Sequence, residues 1–175
     1  MAYTSTRLVT RNKLDALYGR FEIKAKLPTG RGTWPAIWML PTDWKYGSWP
    51  RSGEIDVMEH VGFDADTVHG TVHTKSFNHT IGTQVGKQIK SETLYDQYHV
   101  YALEWFEDRI DIFMDDKKYF SFNNSKKGID EWPFDQNFHL LLNLAVGGNW
   151  GGKEGIDDTI FPATMKVDYV RVYQK

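Results

Sequence analysis

Residues 17–27 alternate between apolar and polar side chains. Phe21, Ile23 and Ala25 fall on one parity and charged residues occupy most of the other, which is the period-two pattern of a half-buried strand. This pattern predicts a strand here and excludes a helix. Similar short runs, bounded by Gly, Pro, Asn and Asp, predict further strands at about 5–9, 34–39, 53–61, 67–74, 98–105, 109–114, 118–122, 138–146 and 164–173.

The segment 109–122 consists of two alternating runs joined by Asp115, Asp116 and Lys117, whose short polar side chains suit the tight connection of a hairpin. No segment keeps apolar residues at helical spacing over several turns, and only residues 128–132 fit a short helical turn. Many short antiparallel strands predict an all-β protein, either a sandwich or a barrel.

Composition narrows the class of protein. The 175 residues are 41% hydrophobic and 25% charged, which predicts one compact domain over residues 1–175. Lys and Arg total 21, Asp and Glu total 23 and the net charge is −2, so we expect no nucleic-acid partner. The absence of cysteine excludes disulfides, thiolate metal sites and cysteine nucleophiles. No apolar run approaches a membrane span and the first residues lack the form of a signal peptide, so we expect a soluble chain without a membrane partner.

The most informative segment is the β-prone run 53–61, which contains Glu54, Asp56 and Glu59. In a regular strand, Glu54 and Asp56 share one face and Glu59 falls on the other. One extra residue, at Val57 or Met58, would form a β-bulge and turn all three acids to the same side. The spacing therefore predicts a bulge, a feature that is common beside active sites.

Three carboxyls on one face suggest acid–base chemistry on a sugar. A retaining glycosidase holds two carboxyls about 5 to 5.5 Å apart, one ionised to attack and one protonated to release the leaving group. Crowded like charges separate the two pKa values, and a third carboxyl between them can tune both. The alternative is three solvated acids on an exposed strand, although like charges stacked along one face destabilise it.

Aromatic residues surround this segment. They make up 15% of the chain and include 7 Trp. Trp34 and Trp38 share parity, and Trp150 lies in the glycine-rich stretch 147–152. Indole rings offer a flat apolar face and one N–H donor, which suits contact with sugar rings. Each tryptophan can instead fill the core of a sandwich, and the sequence leaves both interpretations open.

The histidines predict no zinc site. His69 and His73 have the spacing of a helical metal pair, but the residues around them favour a strand, where they would be too far apart to share an ion. His73 either faces the carboxylates as a hydrogen-bonding neighbour or has a purely structural role. We find no Ser-His-Asp spacing and no phosphate-binding loop.

The run from Glu54 to Glu59, preceded by WPAIWML and Trp49-Pro50, resembles glycoside hydrolase family 16, and specifically its laminarinase-type endo-β-1,3-glucanases. The resemblance extends over nearly the whole chain, from YGRFE through VHT, YALEW and NLAVGGNW to VDYVRVY. It implies a concanavalin-like jelly-roll β-sandwich with a glucan cleft across its concave sheet. It also implies Glu54 as nucleophile, Glu59 as general acid/base and Asp56 as their electrostatic assistant.

On this basis the expected substrate is a laminarin-type β-glucan, hydrolysed by double displacement without an organic cofactor. The expected substrate contacts are Trp34, Trp38, Arg51, His73, Asn143 and Trp150. Two alternatives stay open. One is a jelly-roll module that binds glucan without cutting it, and the other is a galactan-cleaving hydrolase, because agarases and carrageenases of the family share the longer acidic motif.

The sequence also departs from the family pattern. Family members usually carry further residues before the position of Tyr3, including early strands of both sheets, so we expect exposed sheet edges that favour self-association of an otherwise monomeric protein. The structural calcium site of the family draws on that region, and only Asp168 resembles one of its ligands, so calcium binding is doubtful. The resemblance finally implies secretion.

Overall fold

A computed structural model describes residues 3–174, which form twelve β-strands and two short 3₁₀ helices. The strands are β1 Arg7–Val9, β2 Asp15–Ala16, β3 Gly19–Lys26, β4 Thr33–Pro41, β5 Glu54–Glu59, β6 Thr67–His73, β7 Val85–Lys90, β8 His99–Trp105, β9 Arg109–Met114, β10 Lys117–Asn123, β11 Phe138–Val146 and β12 Lys166–Tyr173. The 3₁₀ helices are His79–Ile81 and Asp158–Ile160.

These strands form two antiparallel sheets. The front sheet has the order β1-β11-β4-β5-β6-β7, with β2 also paired to β11, and the rear sheet has the order β10-β9-β8-β3-β12. The front sheet therefore places β5, the acidic strand, between β4 and β6. The predicted all-β sandwich is confirmed.

The core lies between the two sheets, because alternate residues of each strand point inward. In β3, Phe21, Ile23 and Ala25 are at most 1% exposed, as their shared parity predicts. Trp105 and Phe138 meet edge-on across the core, with ring centroids 5.3 Å apart. Burial of such side chains on both inner faces stabilises the sandwich by roughly 1.5–3 kcal/mol for each large residue.

Most strand predictions are confirmed, including the hairpin, where Asp115 and Asp116 both have positive φ. Strand β7 was missed because it is an edge strand in which only Val85 and Ile89 pack against the core, and the exposed Lys87 between them interrupts the alternating pattern. The segment 128–132 forms a single hydrogen-bonded turn, in which Trp132 N–H donates to the carbonyl of Gly128.

The edges of the sandwich expose apolar side chains. Leu8 of β1 is 59% exposed, and Val167 and Val170 of β12 are each 40% exposed. These exposures agree with the expectation of open sheet edges, while self-association stays a prediction. Within residues 3–174, no helix has the length and hydropathy needed to cross a bilayer.

Candidate active site

The register of β5 against β4 contains one extra residue. Met58 pairs with Ile37 and Asp56 pairs with Trp38, so two adjacent residues of β4 oppose a three-residue stretch of β5. Val57 is the residue left out of the pairing. The predicted bulge is therefore confirmed, at the first of its two proposed positions.

The bulge turns the acidic side chains to one face of the sheet. Val57 and Met58 are both fully buried in the core between the sheets. Glu54, Asp56 and Glu59 all line a cavity on the opposite face of β5. If the same residues formed a regular strand with no bulge, Glu59 would share the parity of Ile55, which is a core position.

This cavity is about 900 Å³ in volume and is rich in aromatic side chains. Its floor consists of alternate residues of β4, β5, β6 and β11, and loops supply its rim. The lining residues are Trp34, Ala36, Trp38, Leu40, Trp44, Trp49, Glu54, Asp56, Glu59, His69, Thr71, His73, His79, Gln84, Asn143, Ala145, Asn149 and Trp150.

Burial dominates the electrostatics of the acids. It raises the pKa of Glu54 to about 8, helped by the charge of Asp56. It also raises the pKa of Glu59 to about 7, although a hydrogen bond from Trp34 opposes this change. The pKa of Asp56 lies well above its usual range because of burial and the charge of Glu59. The site therefore holds protons at pH values where exposed carboxyls have lost them.

A hydrogen bond orients Glu59, and a histidine ring lies close to Asp56 without forming one. The indole N–H of Trp34 donates to Oε1 of Glu59 at 3.0 Å, and Nε2 of His73 lies 3.3 Å from Oδ2 of Asp56. The ring of Trp34 meets Trp150 edge-on, with centroids 5.5 Å apart. Trp34 is thus a tether for a carboxylate as well as part of the cavity wall, a role that the sequence did not suggest.

Trp38 and Asn143, two predicted contacts, form a pair on adjacent strands. The indole N–H of Trp38 donates to Oδ1 of Asn143 at 2.7 Å, and both side chains line the cavity. The guanidinium of Arg7 lies 4.8 Å from the Trp38 ring centroid. One face of this indole therefore already has a cationic neighbour.

Two predicted site residues lie elsewhere. Arg51 is absent from the lining of the cavity, and its Nε lies 3.8 Å from a carboxylate oxygen of Asp130. Asp168 lies on β12 of the rear sheet, where its carboxylate contacts Nζ of Lys24 at 2.9 Å. The geometry supports neither the substrate contact at Arg51 nor the calcium ligand at Asp168.

The sequence analysis missed several lining residues. Trp49 contacts His79, with ring centroids 5.0 Å apart, and also lies 6.0 Å from the ring of His73. The density of tryptophans before the acids could have indicated Trp44 and Trp49. His79 begins the 3₁₀ helix that follows β6, and the sequence around it contains no pattern that would place it near the acids.

In the described chain, one group of side chains is close enough together to hold a metal ion. It consists of Glu54, Asp56 and His73, whose potential ligand atoms lie within 4.8 Å of one another. Asp168 belongs to no such group among residues 3–174, and its carboxylate is paired with Lys24. The same proximity allows the two carboxyls to share protons.

Comparison with known proteins gives consistent matches. The family model described as glycosyl hydrolases family 16 matches residues 1–171. A beta-glucanase of Rhodothermus marinus is 58% identical over 179 aligned positions, which cover 98% of this chain and 63% of that protein. Glucan endo-1,3-beta-glucosidase A1 of Niallia circulans is 42% identical over 182 positions, which cover 99% of this chain and 26% of that protein.

The fold matches equally well. The X-ray structure of the laminarinase from Rhodothermus marinus superposes with a TM-score of 0.94 and 56% identity, covering 96% of this chain and 70% of that one. The chain spans less than two thirds of the length of both curated relatives.

Replacement of Trp34 by Phe tests the tether. The Trp34→Phe variant keeps an aromatic ring but loses the N–H that stabilises the charged form of Glu59, so the pKa of Glu59 should rise above about 7. The change is measured by NMR titration of side-chain carboxyl carbons. Trp38→Phe is the control, because that indole donates to Asn143 and its loss should leave Glu59 unchanged. Equal titrations in both variants would show that the tether has no effect.

Replacement of Glu54 by Gln should stabilise the fold in alkaline solution. The folded-state pKa is raised from 4.5 to about 8, so stability is lost as pH rises between these values, by up to about 1.4 kcal/mol for each pKa unit. Glutamine resembles the protonated acid and avoids that loss. The gain in Tm should therefore be larger at about pH 9 than at about pH 5. The exposed Glu107 provides the control variant Glu107→Gln, and a gain independent of pH would contradict the argument.

Proposed function

The chain belongs to glycoside hydrolase family 16, and on that premise we propose that it is a retaining endo-β-1,3-glucanase acting on laminarin-type β-glucans. One observation carries this proposal: a single bulged strand presents Glu54, Asp56 and Glu59 to one aromatic cavity. A cavity that only bound glucan would need the aromatic rings but not three acids at least half-buried on its floor, whose desolvation is unfavourable. The named relatives from Rhodothermus marinus and Niallia circulans support a glucan substrate.

The reaction proceeds in two displacements. Glu54 attacks the anomeric carbon while Glu59 gives its proton to the departing glycosidic oxygen, which yields a covalent glycosyl-enzyme and a shortened glucan. Glu59, now ionised, removes a proton from a water molecule that attacks the same carbon and releases Glu54. Asp56 lies between the two glutamates along β5 and supports the charge changes of both.

The reaction needs Glu54 ionised and Glu59 protonated, and burial raises the pKa values of both carboxyls. The acids are close enough for their titrations to be coupled, so near neutral pH they can share a proton. A glycosidic oxygen beside Glu59 accepts a hydrogen bond only from its protonated form, so binding of substrate would draw the proton there.

Aromatic walls explain how a glucan would be held. Trp34 and Trp150 meet at an interplanar angle of 78°, which forms a corner in the cavity wall next to Glu59. Trp38 offers its free ring face, and Asn143 and His73 offer polar atoms to sugar hydroxyls. Such contacts bind the flat C–H faces of glucose rings at little conformational cost, and no organic cofactor is needed. Laminarin-type polysaccharides are too large to enter a cell, so we expect the enzyme to act outside the cell.

Removal of either glutamate should nearly abolish laminarin cleavage and leave the fold intact. Glu54→Gly removes the nucleophile, and Glu59→Ala removes the proton donor, which contributes roughly 10²- to 10⁴-fold. Reducing-sugar release on laminarin measures the loss, and circular dichroism checks the fold. Near wild-type activity in either variant would overturn the assignment.

Azide separates the two roles. With a β-1,3-linked glucosyl disaccharide that carries a reactive aryl leaving group, azide can replace the missing carboxylate in Glu54→Gly and should give an α-glycosyl azide. In Glu59→Ala, azide needs no general base to attack the glycosyl-enzyme and should give the β-glycosyl azide. A β-glycosyl azide from Glu54→Gly and an α-glycosyl azide from Glu59→Ala would show that Glu59 is the nucleophile and Glu54 the acid/base.

The stereochemistry of hydrolysis is a further prediction. Early products from laminarin should have the β configuration at the new reducing end, because two inversions restore it. Proton NMR of the first minutes of reaction distinguishes this result from an α product. The same assay on agarose is the substrate control, since cleavage of agarose in preference to laminarin would favour a galactan-cleaving enzyme. Binding of laminarin without any product would favour a glucan-binding module.

A further inference from the structure

In the rear sheet, the strand β10 is irregular directly behind the bulge of β5. In β10, Lys118 pairs with Phe113 and Phe120 pairs with Ile112, so Tyr119 is the extra residue. Phe120 is buried in the core, and Tyr119 packs against the same core cluster. The irregularity therefore brings a phenol into the space between the sheets, where a regular strand would turn every second side chain outward.

The hydroxyl of this phenol reaches the bulge of the front sheet. Tyr119 donates a hydrogen bond to the carbonyl oxygen of Val57 at 3.3 Å. Val57 is the residue that the pairing of β5 with β4 leaves out, and it is fully buried. A buried carbonyl at an interrupted ladder needs a partner, and here the opposite sheet supplies one.

The residue facing the bulge leaves room for this contact. On β6, Thr71 pairs with Asp56 and His69 pairs with Glu59, so Gly70 alone opposes the two residues between them. A Cβ atom at Gly70 would lie 2.7 Å from the hydroxyl oxygen of Tyr119. That distance is too short for a carbon atom, so the glycine and the tyrosine are mutually adapted.

We propose that Tyr119 is a positioning residue, which fixes the peptide of Val57 from behind and so holds Glu59 at its place in the cleft. The burial and the neighbouring acids that raise the pKa of Tyr119 keep its phenol protonated and able to donate. Its effect on catalysis rests on the proposed function, whereas its effect on the orientation of Glu59 does not.

Tyr119→Phe removes only the hydroxyl and should lower kcat on laminarin roughly five- to tenfold, the effect of one lost hydrogen bond. KM should change by less than about twofold, because no sugar contact is removed. The matched control is Tyr101→Phe, since Tyr101 is a fully buried tyrosine of the same sheet whose hydroxyl has no hydrogen-bond partner in the described chain. An unchanged kcat in Tyr119→Phe, as in Tyr101→Phe, would overturn the proposal.

A second variant tests the route of the effect. Gly70→Ala places a methyl group against the hydroxyl and should displace it, so kcat should fall as in Tyr119→Phe. In the Gly70→Ala background, Tyr119→Phe should have little further effect, because the hydrogen bond is already lost. If the fold-loss of kcat in the double variant equals the product of the two single losses, Gly70 and Tyr119 act independently, which would contradict the proposed route.

Carboxyl NMR provides a readout that does not need turnover. If the bulge loosens, Glu59 moves relative to the indole of Trp34, and its pKa should rise in Tyr119→Phe but not in Tyr101→Phe. A variant that lowers Tm and kcat but leaves this titration unchanged would show a purely structural role and contradict the proposal. If wild-type protein fails to cleave laminarin, the proposed function fails, yet the titration still decides the role of Tyr119.

Discussion

The extra residue at Val57 is the constraint on which the candidate site depends. Successive side chains of a strand point to opposite faces. Glu54 and Glu59 are five positions apart, so they can share a face only if one residue between them is bulged out of the regular alternation. In a regular strand, Glu59 would lie in the apolar core, where an unpaired carboxylate is very unfavourable. The bulge thus avoids a buried charge and at the same time creates a cluster of acids.

This cluster works against the stability of the fold. Burial raises the pKa values of Glu54 and Glu59 to about 8 and about 7, which means that their ionised forms are disfavoured in the folded chain. A well-packed sandwich can tolerate this cost. The core between the sheets is rich in aromatic side chains, including the edge-on pair Trp105 and Phe138, and its packing does not depend on the protonation of the acids.

The sequence predicts those features of the fold and of the site that depend on residues close together along the chain. The strand β3 could be predicted because the alternation of its apolar and polar residues depends on that strand alone. The bulge in β5 could be predicted because Glu54, Asp56 and Glu59 lie close together in sequence and share a face only if the strand is bulged. The tether from Trp34 and the contact of Tyr119 could not be predicted, since they depend on registers between strands distant in sequence. The substrate contact predicted at Arg51 stays a prediction, and the sequence could not show that this side chain lies near Asp130.

Adjacent strands, more than loops, fix the centre of the cavity. On one side of β5, Ala36 pairs with Glu59 and Trp38 with Asp56; on the other, His73 pairs with Glu54. Ladder hydrogen bonds set these neighbours at a constant spacing, so the acids and their flanking rings cannot move independently. Only the rim, at positions such as 49 and 150, lies on loops that tolerate change. Substitutions at the rim can therefore change the shape of the cavity entrance while the arrangement of the acids at the centre stays fixed.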